Sequence, residues 1–405
     1  MRRPMSAARP LSAFWFLYMA GLGLVFPYQT LYFHENAALT GAQLGLLLAV
    51  RPAMGIVFQP FWGHVADRSG SRTWVLAGVS VATAAAYAIL PLAERYPALL
   101  LAMAFASAFG TSVMPMATSV TMASLPEGAE HFGRVRVWGT IGFLLLVVGF
   151  PWVLDGIQEL RGLSAEPGGQ QGGPSEPGLG VIFVLAAGFS ALAAIAAVLV
   201  PREGAVGLRA TRGDLGALLR HRPYRRLLVF TFVAYFFLQG PILLFPVFIR
   251  AHGGTLDTLS RMWIPMLLLE IPLVFYSGAT LRRFGARGLL AIGVTADGLR
   301  WLVCSFASEL WVIYAFQLLH GVVIAGLIVG VSLYVEVVVP ERLRSTGQGL
   351  VAMIGISLAS MLSSTHCGWL LDRFGANAPY LVGGTGAVLL AATIPWLLPR
   401  PTRPA

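Results

Sequence analysis

Residues 63–72 read Gly63-His64-Val65-Ala66-Asp67-Arg68-Ser69-Gly70-Ser71-Arg72, a charged turn between two long apolar runs. The spacing of its Gly, Arg, Gly and Arg returns in Gly278-Ala279-Thr280-Leu281-Arg282-Arg283-Phe284-Gly285-Ala286-Arg287, with Arg282 in the place of Asp67. The two copies begin 215 positions apart, at 63 and 278. A repeat at this distance predicts a chain that is internally duplicated.

Further landmarks recur at nearly the same distance. Phe26-Pro27 corresponds to Phe245-Pro246, and Trp152-Val153-Leu154-Asp155 corresponds to Trp369-Leu370-Leu371-Asp372. Because each pair occupies the same relative place in its half, the duplication predicts two similar halves joined near residue 210.

The composition is that of a protein embedded in a lipid bilayer. Of the 405 residues, 57% are hydrophobic and 11% are charged, whereas soluble domains average about 25% charged residues. The mean hydropathy is +0.74. The sequence offers about a dozen apolar runs of roughly 20 residues, each long enough to cross the bilayer as a helix.

The basic residues predict the orientation of the chain. All 28 are arginine, and they give a net charge of +10. With the N-terminus inside, the predicted cytoplasmic tails and loops hold 21 of the 28 arginines and the outer loops hold 5. By the positive-inside rule, both termini are expected in the cytoplasm and the protein in the inner membrane. No nucleic-acid partner is expected.

The apolar runs predict an all-α membrane fold with twelve spanning helices in two six-helix halves. We expect an N-terminal bundle over residues 1–200, a cytoplasmic linker over 201–226 and a C-terminal bundle over 227–405. The predicted spans are 11–33, 41–65, 73–93, 97–122, 136–157, 179–200, 227–250, 260–280, 288–307, 310–336, 347–369 and 378–398.

The linker contains a short amphipathic segment. Leu215, Leu218 and Leu219 form an apolar stripe beside basic residues. This pattern is typical of a short helix lying on the membrane surface, and a solvated basic tether is the alternative. Pro223 is expected to end that helix.

Charged residues also lie well inside the predicted spans, namely Arg51, Glu270, Asp297 and Arg300. A charged side chain costs about 2.5 to 3.5 kcal/mol at the centre of a spanning helix, so such residues are expected to face the bundle interior and to have partners. Asp297 and Arg300, at i and i+3, are placed to meet on one helix face. His320 adds a group whose charge changes under mild conditions.

Two interpretations of these charges stay open. A movement that changes the burial of Glu270, or its distance from an arginine, would bind or release a proton, and this is the physical basis of proton coupling. Alternatively, Glu270, Asp297 and Arg300 form a static bridge that stabilises helix packing. Arg51 either pairs with a buried carboxylate or binds an anionic substrate.

Residues 130–143 enter the fifth span through arginines and continue with Gly139 and Gly142, which allow close helix approach. Together with the turn at residues 63–72, this stretch makes the sequence resemble the major facilitator superfamily, and within it the group of lactose, nucleoside and phenylpropionate proton symporters. The resemblance covers essentially the whole chain. It implies alternating access, in which two six-helix domains rock about a central site.

The resemblance also assigns roles to single residues. The repeated turn looks like the signature loop of the superfamily and would act in a cytoplasmic gate, with Gly63, Asp67, Arg68, Gly70, Arg72, Arg282, Arg283 and Arg287. Arg136 falls at the substrate-binding arginine of the sugar symporter. The charged residues of its coupling network correspond to Glu270, Arg300 and His320. Asp297 joins them as a predicted proton-coupling residue.

Two departures from that symporter concern its substrate. Val323 stands where the symporter has a proton-carrying glutamate, and Thr118 stands where it has the glutamate that holds sugar. Galactoside binding is therefore not expected. Aromatic, amide and hydroxyl groups along the predicted path suit a small, polar, ring-containing solute. The predicted substrate-binding residues are Arg51, Arg136, Trp138, Thr140, Tyr235, Gln239 and Gln317.

These observations predict a monomeric secondary transporter that imports a small organic solute, such as a sugar, a nucleoside or an aromatic acid, together with a proton. The alternatives are proton-coupled export of drug-like compounds and a non-transporting membrane sensor or scaffold. No enzymatic step, cofactor or metal is expected, because the sequence has no nucleotide-binding Gly-x-x-x-x-Gly-Lys motif and no metal-ligand spacing.

Overall fold

A computed structural model describes residues 7–125, 128–163, 176–201, 214–275 and 277–399. Within these ranges the chain is helical and contains no β-strand. Helices α1 to α6 are Ala8–Asn36, Gly41–Arg68, Arg72–Leu92, Tyr96–Ser124, Gly128–Arg161 and Val181–Val198. Helices α7 to α13 are Asp214–Arg220, Arg222–Ala251, Leu256–Phe275, Ser277–Phe306, Leu310–Val338, Thr346–Phe374 and Ala378–Leu397.

Eleven of the described helices are long and apolar enough to cross a membrane. Of the two others, α7 has only 7 residues, and α9, with 20 residues, lies at the predicted eighth span. The prediction of an all-α membrane protein with twelve spanning helices is therefore confirmed.

The region around Pro223 differs from the prediction. The short helix α7 forms, but it already ends at Arg220, and Pro223 lies in the first turn of α8. Proline is favoured there because the first amide groups of a helix have no partner within the helix. Leu218 is buried in the protein and Leu219 is exposed, so the predicted apolar stripe is partly covered by protein rather than by lipid.

The chain divides into two compact units. Unit 1 comprises Met1–Gly207 with Thr255–Ser260, and unit 2 comprises Leu208–Gly254 with Arg261–Ala405. In unit 1, α1 packs against α5 and α6, and α3 packs against α4 and α6. In unit 2, α8 packs against α12 and α13, and α10 packs against α11 and α13. In each unit, the first spanning helix thus packs against the fifth and sixth, and the third packs against the fourth and sixth, as expected of a duplicated chain.

Glycines bring helices into close contact inside unit 1, as predicted for the fifth span. A Cβ atom at Gly142 would lie 3.1 Å from the carbonyl carbon of Phe16, and one at Gly139 would lie 3.2 Å from the carbonyl oxygen of Trp15. Helices α1 and α5 can touch along this line because neither glycine has a side chain. Trp15 is fully buried beside the contact, and its Nε1 donates a hydrogen bond to Thr121 Oγ1 at 2.9 Å.

Unit 2 contains an equally close crossing between α10 and α11. A Cβ atom at Gly293 would lie 2.8 Å from both the Cα and the carbonyl carbon of Gly326. Helix α11 is not the single regular helix expected over 310–336, since it is interrupted after Phe316 and has a π-helical segment, Ile324–Val329. The crossing with α10 lies on this π-helical segment.

Candidate functional site

The first copy of the repeated turn is held by an ion pair. Arg72 donates from Nε and Nη2 to Asp67 Oδ1 at 3.1 and 2.7 Å, and its Nη1 donates to Ser119 Oγ on α4 at 3.1 Å. Asp67 is exposed, so the free energy gained from this pair is at most about 1 kcal/mol. Its geometric effect is to tie the turn between α2 and α3 to α4. Arg68 is exposed nearby.

The second copy of the turn shares one backbone feature with the first, a glycine at positive φ. Gly70 has φ +69° and Gly285 has φ +67°, a left-handed conformation that favours glycine. In the second copy this glycine interrupts α10 rather than forming an open loop. Arg287 Nη2 donates to the carbonyl oxygen of Ile394 at 3.5 Å, and Arg283 lies over the Phe284 ring at 5.4 Å. The side chain of Arg282 lies outside the described residues.

Replacing Gly70 with alanine is expected to lower the free energy of unfolding by about 1 kcal/mol, because a Cβ atom is strained at positive φ. Nothing lies within 4 Å of the new methyl group, so backbone conformation is the only cause. The measurement is thermal unfolding of the purified protein in detergent. The matched control is Gly63→Ala, which also meets open space but in a helical residue. Equal stability of the two variants would contradict the prediction.

Arg300 is the centre of a buried network in unit 2. It donates from Nε and Nη2 to Gln317 Oε1 at 2.9 and 2.6 Å, and its Nη1 lies 3.1 Å from His320 Nδ1. The guanidinium also lies 4.0 Å from the centre of the Trp301 ring. Arg300 and Gln317 are completely buried. A buried cation is thus stabilised by neutral acceptors and an aromatic face.

The contact with Arg300 determines the tautomer of His320. A guanidinium can only donate hydrogen bonds, so His320 Nδ1 must accept and the proton of the neutral imidazole must be on Nε2. His320 Nε2 lies 3.9 Å from Glu270 Oε2. Three of the four predicted proton-coupling residues therefore lie in a row in space. Glu270 on α9 is next to His320 on α11, and His320 contacts Arg300 on α10.

Asp297 forms no hydrogen bond or ion pair with Arg300, although the two charges still act on each other, as their i, i+3 spacing on one helix face predicts. Both carboxylate oxygens of Asp297 are buried without a hydrogen-bond partner. Trp301 Nε1, one turn further along α10, is buried beside Asp297 and acts on its carboxyl group as a donor, although their geometry falls short of a full hydrogen bond. The pairing fails because the donors of Arg300 are already directed towards α11. Tyr235 on α8 is an electrostatic neighbour of Asp297.

Gln317, a predicted substrate-binding residue, is engaged with its protein neighbours, and its role in binding stays a prediction. Besides accepting two hydrogen bonds from Arg300, its amide nitrogen donates to the carbonyl oxygen of Ile313 at 3.1 Å and lies 3.6 Å from Cys304 Sγ. With both ends of its amide engaged and no exposed surface, Gln317 holds Arg300 in place. Trp301, which sequence reasoning missed, could have been recognised from its spacing of one helical turn from Asp297.

Unit 1 contains two partly buried arginines in its spanning helices. Arg51 on α2 interacts with the hydroxyls of Tyr87 on α3 and Tyr18 on α1. Tyr18 also interacts with Arg136 on α5, whose guanidinium lies 4.6 Å from the centre of the Trp15 ring. A Cβ atom at residue 139 would lie 2.8 Å from Arg136 Nη1, so the glycine there leaves room for the guanidinium. The role of Tyr87 was not recognised in the sequence.

The other predicted substrate-binding residues differ in exposure. Tyr235 is buried, Thr140 and Gln239 are partly buried, and Trp138 is 48% exposed. Their roles in binding stay predictions. Among the described residues, no group of three His, Cys, Asp or Glu side chains is placed to hold a metal ion. Both cysteines, Cys304 and Cys367, are free and buried.

The bundle of spanning helices, the repeated turn and the buried charges define a membrane transporter of the major facilitator type. The MFS_1 like family matches residues 9–382, and the chain belongs to that family. The maltose permease of Geobacillus stearothermophilus is 29% identical to it over 375 residues, which cover 91% of this chain and 89% of that protein.

Two solved structures have the same fold. The nucleoside transporter NupG superposes with a TM-score of 0.82 at 16% identity, covering 97% of this chain and 99% of that chain. The xylose transporter XylE from E. coli superposes with a TM-score of 0.73 at 13% identity, covering 98% of this chain and 97% of that chain.

Proposed function

We propose that this transporter imports a small polar solute of the sugar or nucleoside type together with a proton. The observation that carries the proposal is the set of buried Asp297, Arg300 and His320 in unit 2, with the partly exposed Glu270 beside them; the carboxyl group of Asp297 has no hydrogen-bond partner. The names of the similar proteins, a maltose permease, a nucleoside transporter and a xylose transporter, support this class of substrate.

The charge balance of the network supports coupling to a proton. Arg300 is held by neutral groups, so its positive charge is not cancelled by a carboxylate within hydrogen-bonding distance. An ionised carboxyl group without a hydrogen-bond partner is costly in the same interior, so we propose Asp297 as the group that takes up the proton. Loss of that proton creates an anion that is attracted to Arg300, three residues away on the same helix. Proton release and a rearrangement of the network are thereby linked.

Glu270 and His320 connect a second carboxyl group to Arg300. The Nε2 proton of His320 faces the Glu270 carboxylate at 3.9 Å, a distance that a small side-chain movement closes to a hydrogen bond. His320 Nδ1 contacts Arg300 at the other side of the ring. The imidazole therefore transmits a change at Glu270 to the guanidinium.

The arginine distribution in the sequence supports an inner-membrane protein with both termini in the cytoplasm. We further propose that a single chain is sufficient for transport. These parts of the proposal are tested by cysteine labelling from either side of the membrane and by the mass of the purified protein.

Coupling is tested in liposomes that contain the purified protein and a pH-sensitive dye. Adding maltose, xylose or uridine outside is expected to acidify the interior for the solute that is transported, because solute and proton enter together. The Glu270→Gln variant is expected to lose this acidification, since an amide cannot take up the proton. The matched control is Glu309→Gln, at an exposed position before α11.

Acidification that is the same in Glu270→Gln as in the wild type would remove Glu270 from the coupling route. Alkalinisation of the interior would indicate exchange of solute against protons, and thus export. Solute entry without any change of pH would refute proton coupling while leaving the transport of that solute in place.

A further inference from the structure

Gln317 holds a buried arginine through an uncharged group. Its Oε1 accepts hydrogen bonds from Arg300 Nε at 2.9 Å and from Arg300 Nη2 at 2.6 Å. Its Nε2 donates to the carbonyl oxygen of Ile313 at 3.1 Å, so the amide is fixed at both ends. Gln317 and Arg300 are both completely buried. A carboxylate in this place would cancel the charge of the guanidinium. The amide keeps the guanidinium in position and leaves its charge intact.

Arg300 retains hydrogen-bonding capacity beyond this contact. Of the five N–H groups of an arginine, the one on Nε and one on Nη2 are donated to Gln317, and one on Nη1 contacts His320 Nδ1 at 3.1 Å. The remaining ones make no hydrogen bond or ion pair within the part of the chain that the structure describes.

Asp297 has the complementary capacity. It lies three residues before Arg300 on α10, a spacing at which two side chains share a helix face. Both of its carboxyl oxygens are buried without a hydrogen-bond partner. Because Gln317 and His320 direct the guanidinium towards α11, the donors of Arg300 and the acceptors of Asp297 do not meet. A rotation of the Arg300 side chain would bring them together.

Other groups that can gain or lose a proton surround these two residues. They are Tyr235 on α8, Glu270 on α9, Cys304 on α10, His320 on α11 and Tyr380 on α13. Phenols and thiols are uncharged near neutral pH. Glu270 is separated from Arg300 by the imidazole of His320. Asp297 is therefore the carboxyl group that shares a helix face with Arg300 and can reach it directly.

We propose that Gln317 is a positioning residue which, by holding Arg300 through a neutral oxygen, sets the pH at which Asp297 binds and releases a proton. The inference rests on the proposed function, in which Asp297 takes up the proton. A carboxylate at position 317 would hold Arg300 in the same place but would cancel its charge. An apolar side chain would leave Arg300 free to turn towards Asp297. The neutral amide lies between these two extremes.

Two substitutions of Gln317 are expected to have opposite effects on Asp297. In Gln317→Glu the anion of Asp297 loses the attraction of Arg300, so Asp297 is expected to keep its proton up to a higher pH. In Gln317→Leu the donors of Arg300 become available to Asp297, which is then expected to bind its proton only at a lower pH. A paired arginine changes the titration of a carboxyl group by about 1 to 3 pH units, and we expect at least about one unit in each direction.

The titration is measured by infrared spectroscopy of the purified protein in detergent over a range of pH. The carbonyl stretching band of protonated Asp297 is identified by its loss in Asp297→Asn. Each Gln317 variant is compared with its own double variant that carries Asp297→Asn, so that the introduced carboxyl group does not contribute. The matched control is Gln348→Glu on α12, where the amide donates to the carbonyl oxygen of Ser332 at 3.1 Å. It adds the same group outside the network and is expected to leave the midpoint of Asp297 unchanged.

The positioning role is overturned if the midpoint of Asp297 is the same in Gln317→Glu as in the wild type, or if both Gln317 variants move it in the same direction, as a purely structural role would. Since Gln317→Glu preserves the shape of the side chain, it is the deciding variant if Gln317→Leu does not fold. The measurement needs neither solute nor a proton gradient, so its outcome is independent of transport. Opposite shifts in a protein whose solutes move no protons would uphold the role of Gln317 and refute symport. A wild type without a titrating Asp297 band would overturn both proposals.

Discussion

Replacing Asp297 with asparagine is expected to abolish accumulation of the solute against its gradient while preserving exchange of labelled for unlabelled solute. The carboxyl group of Asp297 is buried and its oxygens have no hydrogen-bond partner. Asparagine has nearly the same shape as the protonated carboxyl group, so the solute path is retained. It cannot release a proton, and the protein is held in the protonated state.

The effect can be measured as the ratio of solute inside to outside in liposomes under an imposed pH gradient. One pH unit corresponds to about 1.36 kcal/mol and supports at most about tenfold accumulation when one proton enters with each solute. The wild type is expected to approach this ratio, and Asp297→Asn is expected to reach a ratio of about one. Asp155→Asn, at an exposed position of α5, is the matched control and is expected to accumulate normally.

Measuring the exchange of labelled for unlabelled solute distinguishes between the possible roles of Asp297. If Asp297→Asn loses both accumulation and exchange, Asp297 acts in binding or folding rather than in coupling. If it retains both, Glu270 alone carries the proton, and the unpaired carboxyl group of Asp297 has no part in transport.

Replacing Gly326 with leucine is expected to prevent unit 2 from folding. The backbones of α10 and α11 touch at Gly293 and Gly326, and a methyl group at residue 326 would already overlap the Gly293 backbone. Backbone atoms cannot move aside as a flexible side chain can, so the two helices must separate. Overpacking typically costs about 1 to 3 kcal/mol, and leucine adds four carbon atoms at a site without space for one.

The measurement is the yield of monodisperse protein after extraction from the membrane, followed by its melting temperature. The matched control is Gly349→Leu on α12, where no atom lies within 4 Å of the added Cβ. It is expected to give a normal yield. A folded Gly326→Leu protein with an unchanged melting temperature would show that the α10–α11 contact is less close than described.

The separation of α10 from α11 would also disrupt the charged network. Arg300 lies on α10, whereas Gln317 and His320 lie on α11, and the hydrogen bonds between them cross the same interface. A partly folded Gly326 variant is therefore expected to lose coupling before it loses its fold. The close contact of Gly293 with Gly326 and the position of Arg300 both depend on the crossing of α10 and α11.

Much of the architecture could be predicted because it depends on properties of short segments. Apolar runs of spanning length predicted the helices, and the spacing of the repeated turn predicted the duplication. Gly70 and Gly285, 215 positions apart, both have a positive φ. The ends of elements were less predictable, as Pro223 illustrates, since proline can either stop a helix or begin one.

The partners of the buried charges could not be predicted in the same way. Spacing along α10 made Arg300 the obvious partner of Asp297, yet Arg300 is directed towards Gln317 and His320 on another helix. Helical spacing defines which side chains share a face, but it does not define which neighbouring helix offers better acceptors. Gln317, expected along the substrate path, likewise contacts Arg300, a partner that spacing in the sequence does not indicate.

The sequence by itself determined that the chain is a duplicated, all-α membrane transporter with charges inside its spans, because hydropathy, arginine bias and motif spacing are local properties. Only the tertiary structure decided that Asp297 is left unpaired, that Arg300 connects α10 to α11, and that Arg51 lies beside Tyr18 and Tyr87. Those contacts join positions far apart in the chain. They depend on how closely glycines allow particular helices to pack, and this packing is a property of the whole bundle.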